Sequence, residues 1–275
     1  MRMHTKKKKR GVVYIPKESI VHGLDPRTKL FALIAVSFGS LVASDLYALG
    51  VMIALVLGSV AVSGVLREWV HAMRILVPVL LITIVIDAFF TAARYPSGGT
   101  LYSGDVWFLH LEATWGTILF AASMTLRIIA IGGLSFLFVM TTPYDSFVKS
   151  VTLLGVPRDF TFSLGYALRS VTSLSQDAAN IVDAQSSRGL VFDRDLVLKR
   201  PLKLLAVFVP MVVSVMNRAD QVSDAMQCRG YGLSRSPTMY RAPEMGRRDY
   251  AALSIVVAVV VADLLYAYYF TGPGL

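Results

Sequence analysis

The sequence predicts an all-α polytopic membrane protein with about five transmembrane helices and a helical cytoplasmic domain. Of the 275 residues, 55% are apolar and 16% are charged, whereas soluble domains carry about 25% charged residues. The apolar residues fall in blocks close to the ~20 residues that a helix needs to cross a bilayer. The positive charges lie almost entirely outside those blocks. These observations argue against a water-soluble globule.

Five apolar blocks are expected to span the membrane. The first block, residues 30–43, is short, but Asp25 is a good N-cap and Pro26 suits the first helical position. The helix can therefore begin before the lipid does. The other four blocks approach or reach full length: residues 46–66, 75–93, 115–140 and 250–270.

The links between the blocks alternate in character. Ser44 and Asp45 predict a tight exterior turn. Residues 67–74 hold two arginines and predict a cytoplasmic link. Residues 94–114 are rich in Gly, Tyr and Trp, which is typical of an exterior loop with aromatic side chains at the membrane interface.

Positive charge is segregated along the chain. Nine Lys or Arg residues lie in residues 1–29 and fourteen in residues 141–249, which leaves four in the apolar blocks and their links. Cytoplasmic segments of membrane proteins carry such an excess. The predicted parts are a basic cytoplasmic tail at 1–24, a four-span membrane domain at 25–140, a cytoplasmic domain with long helices at 141–249, and a fifth span with an exterior C-terminus at 250–275.

The basic run at residues 6–10 resembles the start of a signal peptide. However, the first apolar stretch begins only at Leu30, and no small-residue cleavage site follows it. We therefore expect no cleaved signal. Blocks of like charge are usually solvated tails that fix orientation, and attraction to anionic lipid head groups is the alternative.

Apolar residues recur at helical spacing in the cytoplasmic domain. The pattern predicts helices at residues 143–154, 158–188 and 201–229, with Gly155 and Pro157 separating the first two. Residues 202–216 are mostly apolar and could span the bilayer. Because this stretch is short for a span, we favour a helix that packs on the membrane face of the domain.

Two helix ends share the pattern Asp-Ala-x-x-x-Arg-Gly. One copy occupies residues 183–189 and the other residues 224–230, 41 positions later. A single Arg-Gly is most simply a helix cap, because Gly is preferred just past a helix and Arg meets the negative end of its dipole. Two copies predict two similar docking sites, since a guanidinium offers five donors to a polar groove. The candidate residues are Ser187, Arg188, Gly189, Cys228, Arg229 and Gly230.

From Leu24 onward the chain resembles the transmembrane, or T, component of energy-coupling factor transporters. Both Arg-Gly ends carry the resemblance. So do Leu-Asp-Pro-Arg-Thr-Lys-Leu at residues 24–30, Thr-Thr-Pro at 141–143, Leu-Gly-Val-Pro-Arg at 154–158 and Ala-Leu-Arg at 167–169. The ends in that family are typically Ala-Arg-Gly, whereas Ser187 and Cys228 precede the arginines here.

The resemblance implies a non-enzymatic coupling subunit of an importer for vitamins or metal ions. It implies two long coupling helices that cross, with Arg188 docked in one ATPase subunit and Arg229 in the other. The apolar faces of these helices would hold a substrate-binding membrane subunit, which reorients when ATP closes the ATPases.

Other functions are less well supported by the residues. An integral membrane enzyme acting on lipid-linked substrates would need polar residues clustered at one interface, and a secondary transporter would need inverted repeats and broken helices near the midplane. Asp87, Arg127 and Asp263 lie inside predicted spans and could form an ion pathway, but their isolation favours polar links between helices. The histidines and the lone Cys228 have no metal-ligand spacing, and no motif predicts a catalytic site, an ATP site or a cofactor.

Overall fold

The computed structural model describes residues 15, 17, 19–43, 46–90, 100–106, 109–190, 201–233 and 245–271. The helices are α1 Pro26–Val42, α2 Leu46–Ser63, α3 Leu66–Met73, α4 Val77–Phe90, α5 Trp115–Thr141, α6 Tyr144–Leu153, α7 Arg158–Ser187, α8 Pro201–Cys228 and α9 Arg247–Thr271. Two strands, β1 Thr100–Val106 and β2 Leu109–Thr114, lie between α4 and α5. The predicted basic tail up to residue 14 and the turn at Ser44 and Asp45 lie outside the described residues.

The structure confirms an all-α polytopic membrane protein. Four described helical segments are long and apolar enough to cross a bilayer: Leu46–Ser63, Trp115–Thr141, Leu204–Cys228 and Arg247–Tyr266. A fifth candidate joins Leu66–Met73 to Val77–Asp87 through a bend of 51°. The set differs from the predicted one. With 17 residues, α1 is about 26 Å long and slightly short, whereas part of α8 qualifies.

Two of the predicted links contain regular structure. The predicted cytoplasmic link at residues 67–74 is mostly the short helix α3. The predicted exterior loop at 94–114 contains an antiparallel hairpin, in which Val106 pairs with Leu109 and Asp105 with His110. Thr, Val and aromatic residues suit a pleated strand, whereas the predicted loop rested on the Gly and aromatic content alone.

The chain divides into two compact units. The membrane unit comprises Met1–Leu154 and Pro243–Leu275, and the helical unit comprises Gly155–Ala242. The helical unit is thus shorter than the cytoplasmic domain predicted at 141–249. Helix α6 belongs to the membrane unit because it packs against α1, and the helical unit consists of α7, α8 and their flanking residues.

The core of the membrane unit lies where α1, α2, α5 and α9 meet. Met52, Val56 and Leu137 are buried there together with Val260. Trp69 of α3 joins this core, and its indole N–H donates to the carbonyl of Gly133 at 2.8 Å. Outside the core, large apolar side chains remain exposed on every spanning helix, as a surface in contact with lipid requires.

A polar junction joins the beginning of α1 to α5 and α9. The backbone N–H of Asp25 donates to Asp249 Oδ1 at 2.7 Å, and Lys29 Nζ donates to the carbonyl of Thr141 at 3.0 Å. Asp25 also caps α1, because its Oδ1 accepts from the N–H of Arg27. The predicted N-cap is therefore correct, and the buried side chains of Asp249 and Lys29 connect three helix ends to one another.

Arg127 makes a polar link inside the membrane unit. It lies on α5, and its Nε and Nη2 donate to the carbonyls of Ser40 at 2.6 Å and Ala43 at 2.8 Å. These carbonyls belong to the end of α1, where helical geometry leaves them without a backbone donor. Asp87 and Asp263 differ, because each buries one carboxylate oxygen for which the described residues provide no hydrogen-bond partner.

Replacing Arg127 by leucine should therefore destabilise the membrane unit. Two carbonyls in an apolar setting would lose a charged donor, at a cost of roughly 3 kcal/mol. Thermal unfolding of the purified chain in detergent should show a lower midpoint. Arg127→Lys is the matched control: it keeps the charge but not the planar fork, and should recover part of the loss. A wild-type midpoint for Arg127→Leu would contradict the role of this link.

Candidate functional site

The two Arg-Gly ends have the same backbone geometry. At the end of α7, the N–H of Gly189 donates to Ser186 O at 3.0 Å and the N–H of Leu190 to Gln185 O at 3.1 Å. At the end of α8, Gly230 donates to Gln227 O and Tyr231 to Met226 O, both at 3.0 Å. These are two Schellman caps with every donor and acceptor displaced by 41 residues.

Glycine is needed at both ends because the cap uses a left-handed backbone. The φ angle is +89° at Gly189 and +69° at Gly230, a region that a residue with a Cβ adopts at a cost. The arginine directly before each glycine lies where the helix ends. The sequence repeat is therefore a repeat in structure, which supports treating the two ends as equivalent.

Both arginines are open to solvent. Ser187, Arg188 and Gly189 are exposed, as are Cys228 and Arg229, while Gly230 is half-buried. Neither guanidinium makes a hydrogen bond or an ion pair with the described residues. An incoming partner would therefore meet donors that need not first be released from a contact within the described chain.

Helices α7 and α8 run antiparallel and are joined at three levels. Near the end of α7, Gln185 Nε2 donates to Ala206 O at 3.1 Å. At mid-length, the guanidinium of Arg218 bonds to Asp177 and Ser173. Near the end of α8, the hydroxyl of Tyr231 donates to Asp159 Oδ1 at 2.9 Å. The two Arg-Gly ends consequently lie at opposite ends of one helix pair.

The junction between Tyr231 and the first turn of α7, here called the lower junction, has an aromatic and a polar component. The rings of Phe162 and Tyr231 lie 5.3 Å apart between centroids. The hydrogen bond to Asp159 raises the pKa of the Tyr231 phenol, and burial adds to the shift. The phenol thus stays protonated and remains a donor at neutral pH, so it ties the residue after Gly230 to the first turn of α7.

The separation of the two ends follows from helix geometry. Along α7, 23 positions separate Phe162, at the lower junction, from Gln185, which bonds to Ala206 near the other end of the pair. At 1.5 Å per residue this corresponds to about 35 Å. The sequence repeat suggested that the two ends are alike; it did not indicate that they face in opposite directions along one rod.

One face of α8 packs on α7 and the opposite face does not. Residues at every fourth position are half-buried, in keeping with a straight contact row: Ala206, Pro210, Ser214, Arg218, Val222 and Met226. The other side carries an exposed apolar row: Leu204, Leu205, Phe208, Val209, Val212, Val213 and Met216. The apolar content of residues 202–216 is therefore not explained by contacts within the helical unit.

The contacts that hold the helix pair together were not predicted from the sequence. Arg218, Ser173 and Tyr231 were not singled out, and Asp177 was considered only as part of a solvated polar cluster. One signal was available: Asp177 and Arg218 are also 41 residues apart, so the repeat places opposite charges at matching positions of the two helices.

The chain is similar in sequence to known transporter proteins. The profile of a family described as Cobalt transport protein (CbiQ) matches residues 17–240. The Energy-coupling factor transporter transmembrane protein EcfT of Lactococcus lactis subsp. cremoris is 28% identical, over 92% of this chain and 94% of its own length. The EcfT 1 protein of Listeria monocytogenes is 27% identical, over 89% and 92%, and the EcfT protein of Bacillus selenitireducens is 29% identical, over 90% and 93%.

The fold and these similarities define a multi-pass membrane component of a transporter, and not an enzyme. The chain belongs to the CbiQ family, and its role is that of the transmembrane subunit of an energy-coupling factor transporter. A membrane enzyme for lipid-linked substrates and a secondary transporter are not favoured. Among the described residues, no group of His, Cys, Asp or Glu is placed to hold a metal ion.

The antiparallel arrangement predicts a long distance between spin labels on the two ends. One label can be placed on the native Cys228 and the other on a Ser187→Cys substitution. Double electron–electron resonance on the purified chain should give a mean distance on the order of 35 Å, apart from the label linkers. The chain labelled at Cys228 alone is the control. A distance near 10 Å would mean that the two ends lie side by side.

Proposed function

We propose that the chain couples two cytoplasmic ATPase subunits to a substrate-binding membrane subunit in an importer for vitamins or metal ions. Arg188 docks in one ATPase subunit and Arg229 in the other. The observation that carries this proposal is the pair of matching, exposed arginine ends at opposite ends of one helix pair. A single cap would serve only its own helix, whereas two matching ends suit two similar partners.

Arginine suits such docking for a chemical reason. Its guanidinium offers five donors in a planar fork that matches carboxylates and carbonyl groups in a groove. The glycine after each arginine turns the chain away from the helix axis, so the side chain can enter a groove without the backbone following it. Ser187 and Cys228 are small, which leaves room beside the guanidinium.

The helix pair is suited to transmit a movement. Its ends are about 35 Å apart, a spacing that allows one ATPase subunit to bind at each end. When ATP draws the two subunits together, the force acts on both ends of a rod that is joined at three levels. The exposed apolar row of α8 then offers a surface for the substrate-binding membrane subunit.

The polar residues of α7 support a location of α8 on the cytoplasmic side, without a crossing of the bilayer. The apolar part of α8 runs beside the C-terminal half of α7, which carries Asp177, Asn180 and Asp183. If α8 crossed the membrane there, these side chains would lie at membrane depth, which is costly. The excess of Lys and Arg in residues 141–249 supports the same orientation.

Removing both guanidinium groups should abolish binding of the ATPase subunits. Arg188→Ala and Arg229→Ala should each weaken capture at one end, by about thirtyfold if each arginine is a hot spot worth 2 kcal/mol. The double substitution should release both subunits and end ATP-driven uptake. Co-purification of the ATPase pair with the tagged chain measures this directly.

The matched control is Arg67→Ala, which removes an exposed arginine from α3 and should leave capture unchanged. Arg188→Lys keeps the charge without the fork and should give an intermediate result. Full co-purification and transport by the double variant would refute arginine docking. It would leave the family assignment intact.

The native Cys228 provides a test of orientation. A membrane-impermeant thiol reagent should label it in inverted membrane vesicles and not in intact cells, because the end of α8 faces the cytoplasm. Bound ATPase subunits should reduce the labelling by covering Arg229 and its neighbours. The Cys228→Ser chain controls for background labelling. Labelling in intact cells would instead place this end outside and make α8 a span.

A further inference from the structure

Residues 15, 17, 19 and 22, which precede α1, form hydrogen bonds within the membrane unit. The N–H of Ile15 donates to Met140 O at 3.0 Å. Lys17 Nζ donates to Gly64 O at 2.9 Å and forms an ion pair with Glu68. The ring of His22 bonds to Ser19 Oγ at 2.7 Å and to Ile15 O at 3.1 Å. The proposed docking of the ATPase subunits involves none of these residues.

A cavity of about 480 Å³ lies between these residues and the beginning of α9. Its lining is both basic and apolar: Lys17, Ser19, Ile20, His22, Leu24 and Arg248. The apolar part of α1 begins at Leu30 and that of α9 at Tyr250. The cavity therefore lies beside the polar beginnings of α1 and α9, next to the apolar parts of both helices.

The charges around the cavity favour an anion. Arg248 is exposed, and the N-terminal end of α9 adds the positive end of a helix dipole. The pKa of His22 is lowered, mainly by burial; the hydrogen bond to the Ile15 carbonyl opposes this shift, and the positive charges of Lys29 and Lys17 add to it.

Among the described residues, the carboxylates near the cavity are buried, as in Asp25 and Asp249, or paired with a cation, as Glu68 is with Lys17. Asp249 accepts from the backbone N–H groups of Asp25 at 2.7 Å and Gly246 at 2.9 Å. Asp25 and Asp249 are buried, and both attract the buried Lys29. Lys17 is largely neutralised by Glu68, whereas Arg248 lines the cavity as an exposed cation.

We propose that this cavity binds the phosphate head group of an anionic phospholipid. Arg248 contacts the phosphate, and Ile20 and Leu24 contact the glycerol backbone and the first part of the acyl chains. Ile20 decides between a lipid and a free phosphate ion. It is 62% exposed, and an apolar side chain on the wall of the cavity favours an amphipathic ligand over an inorganic ion. Basic pockets beside spanning helices are suited to such head groups.

The proposal can be tested on the full-length chain in a neutral detergent. Histidines are labelled with ¹³C, the His22 signal is assigned with His22→Gln, and the pKa of His22 is measured by NMR. Phosphatidylglycerol should raise this pKa, because its phosphate adds negative charge beside the imidazole. Phosphatidylcholine and inorganic phosphate should not raise it at the same concentration.

Two adjacent arginines provide the matched variants. Arg248→Gln removes the lining charge and should raise the half-saturating concentration of phosphatidylglycerol about tenfold, as expected for one charged hydrogen bond. Arg247→Gln removes an equal charge from an exposed neighbour that does not line the cavity, and should change it less than about twofold.

Each alternative outcome would overturn the proposal. Equal effects of the two variants would mean that diffuse surface charge attracts the lipid. An equal pKa rise with phosphatidylcholine would mean that the site does not select anionic lipids. An equal rise with inorganic phosphate would identify a free anion as the ligand. No rise with phosphatidylglycerol in the unmodified chain would refute the site without reference to any variant.

Discussion

The antiparallel pairing of α7 and α8 is the constraint on which the proposed coupling depends. Three junctions along the pair, at Gln185, Arg218 and Tyr231, fix its register. Because an α-helix is stiff over this length, fixing the register also fixes where each end lies. A slip of one turn would move one arginine end by about 5 Å relative to the other, and the middle junction with Asp177 opposes such a slip.

The membrane unit is organised by the need to satisfy polar groups away from water. The last carbonyls of α1 receive the guanidinium of Arg127, and its first turn receives the side chain of Asp25. Asp249 and Lys29 then join the beginnings of α9 and α1 to the end of α5. These hydrogen bonds satisfy polar groups at the helix ends. The exposed apolar side chains remain available for contact with lipid.

Helix ends were predicted well where a residue controls the backbone locally. Asp25 with Pro26, Gly155 with Pro157, and the two Arg-Gly ends mark boundaries that the structure reproduces within about two residues. Where composition was the only guide, the secondary structure of the links was not predicted. Residues 66–73 form a helix whose Trp69 packs into the core, and residues 100–106 pair with residues 109–114 through cross-strand contacts that no local signal relates.

The sequence by itself determined that the two arginine ends are alike, because a Schellman cap depends on a few consecutive residues and on the conformational freedom of glycine. It also determined the membrane character of the chain, which follows from the length of its apolar blocks. Only the tertiary structure decided that the ends point in opposite directions and that Arg248 lines a cavity with residues 17, 19, 20 and 22–24. Those arrangements depend on contacts between distant residues, and the energies of such contacts are not encoded in any single local pattern.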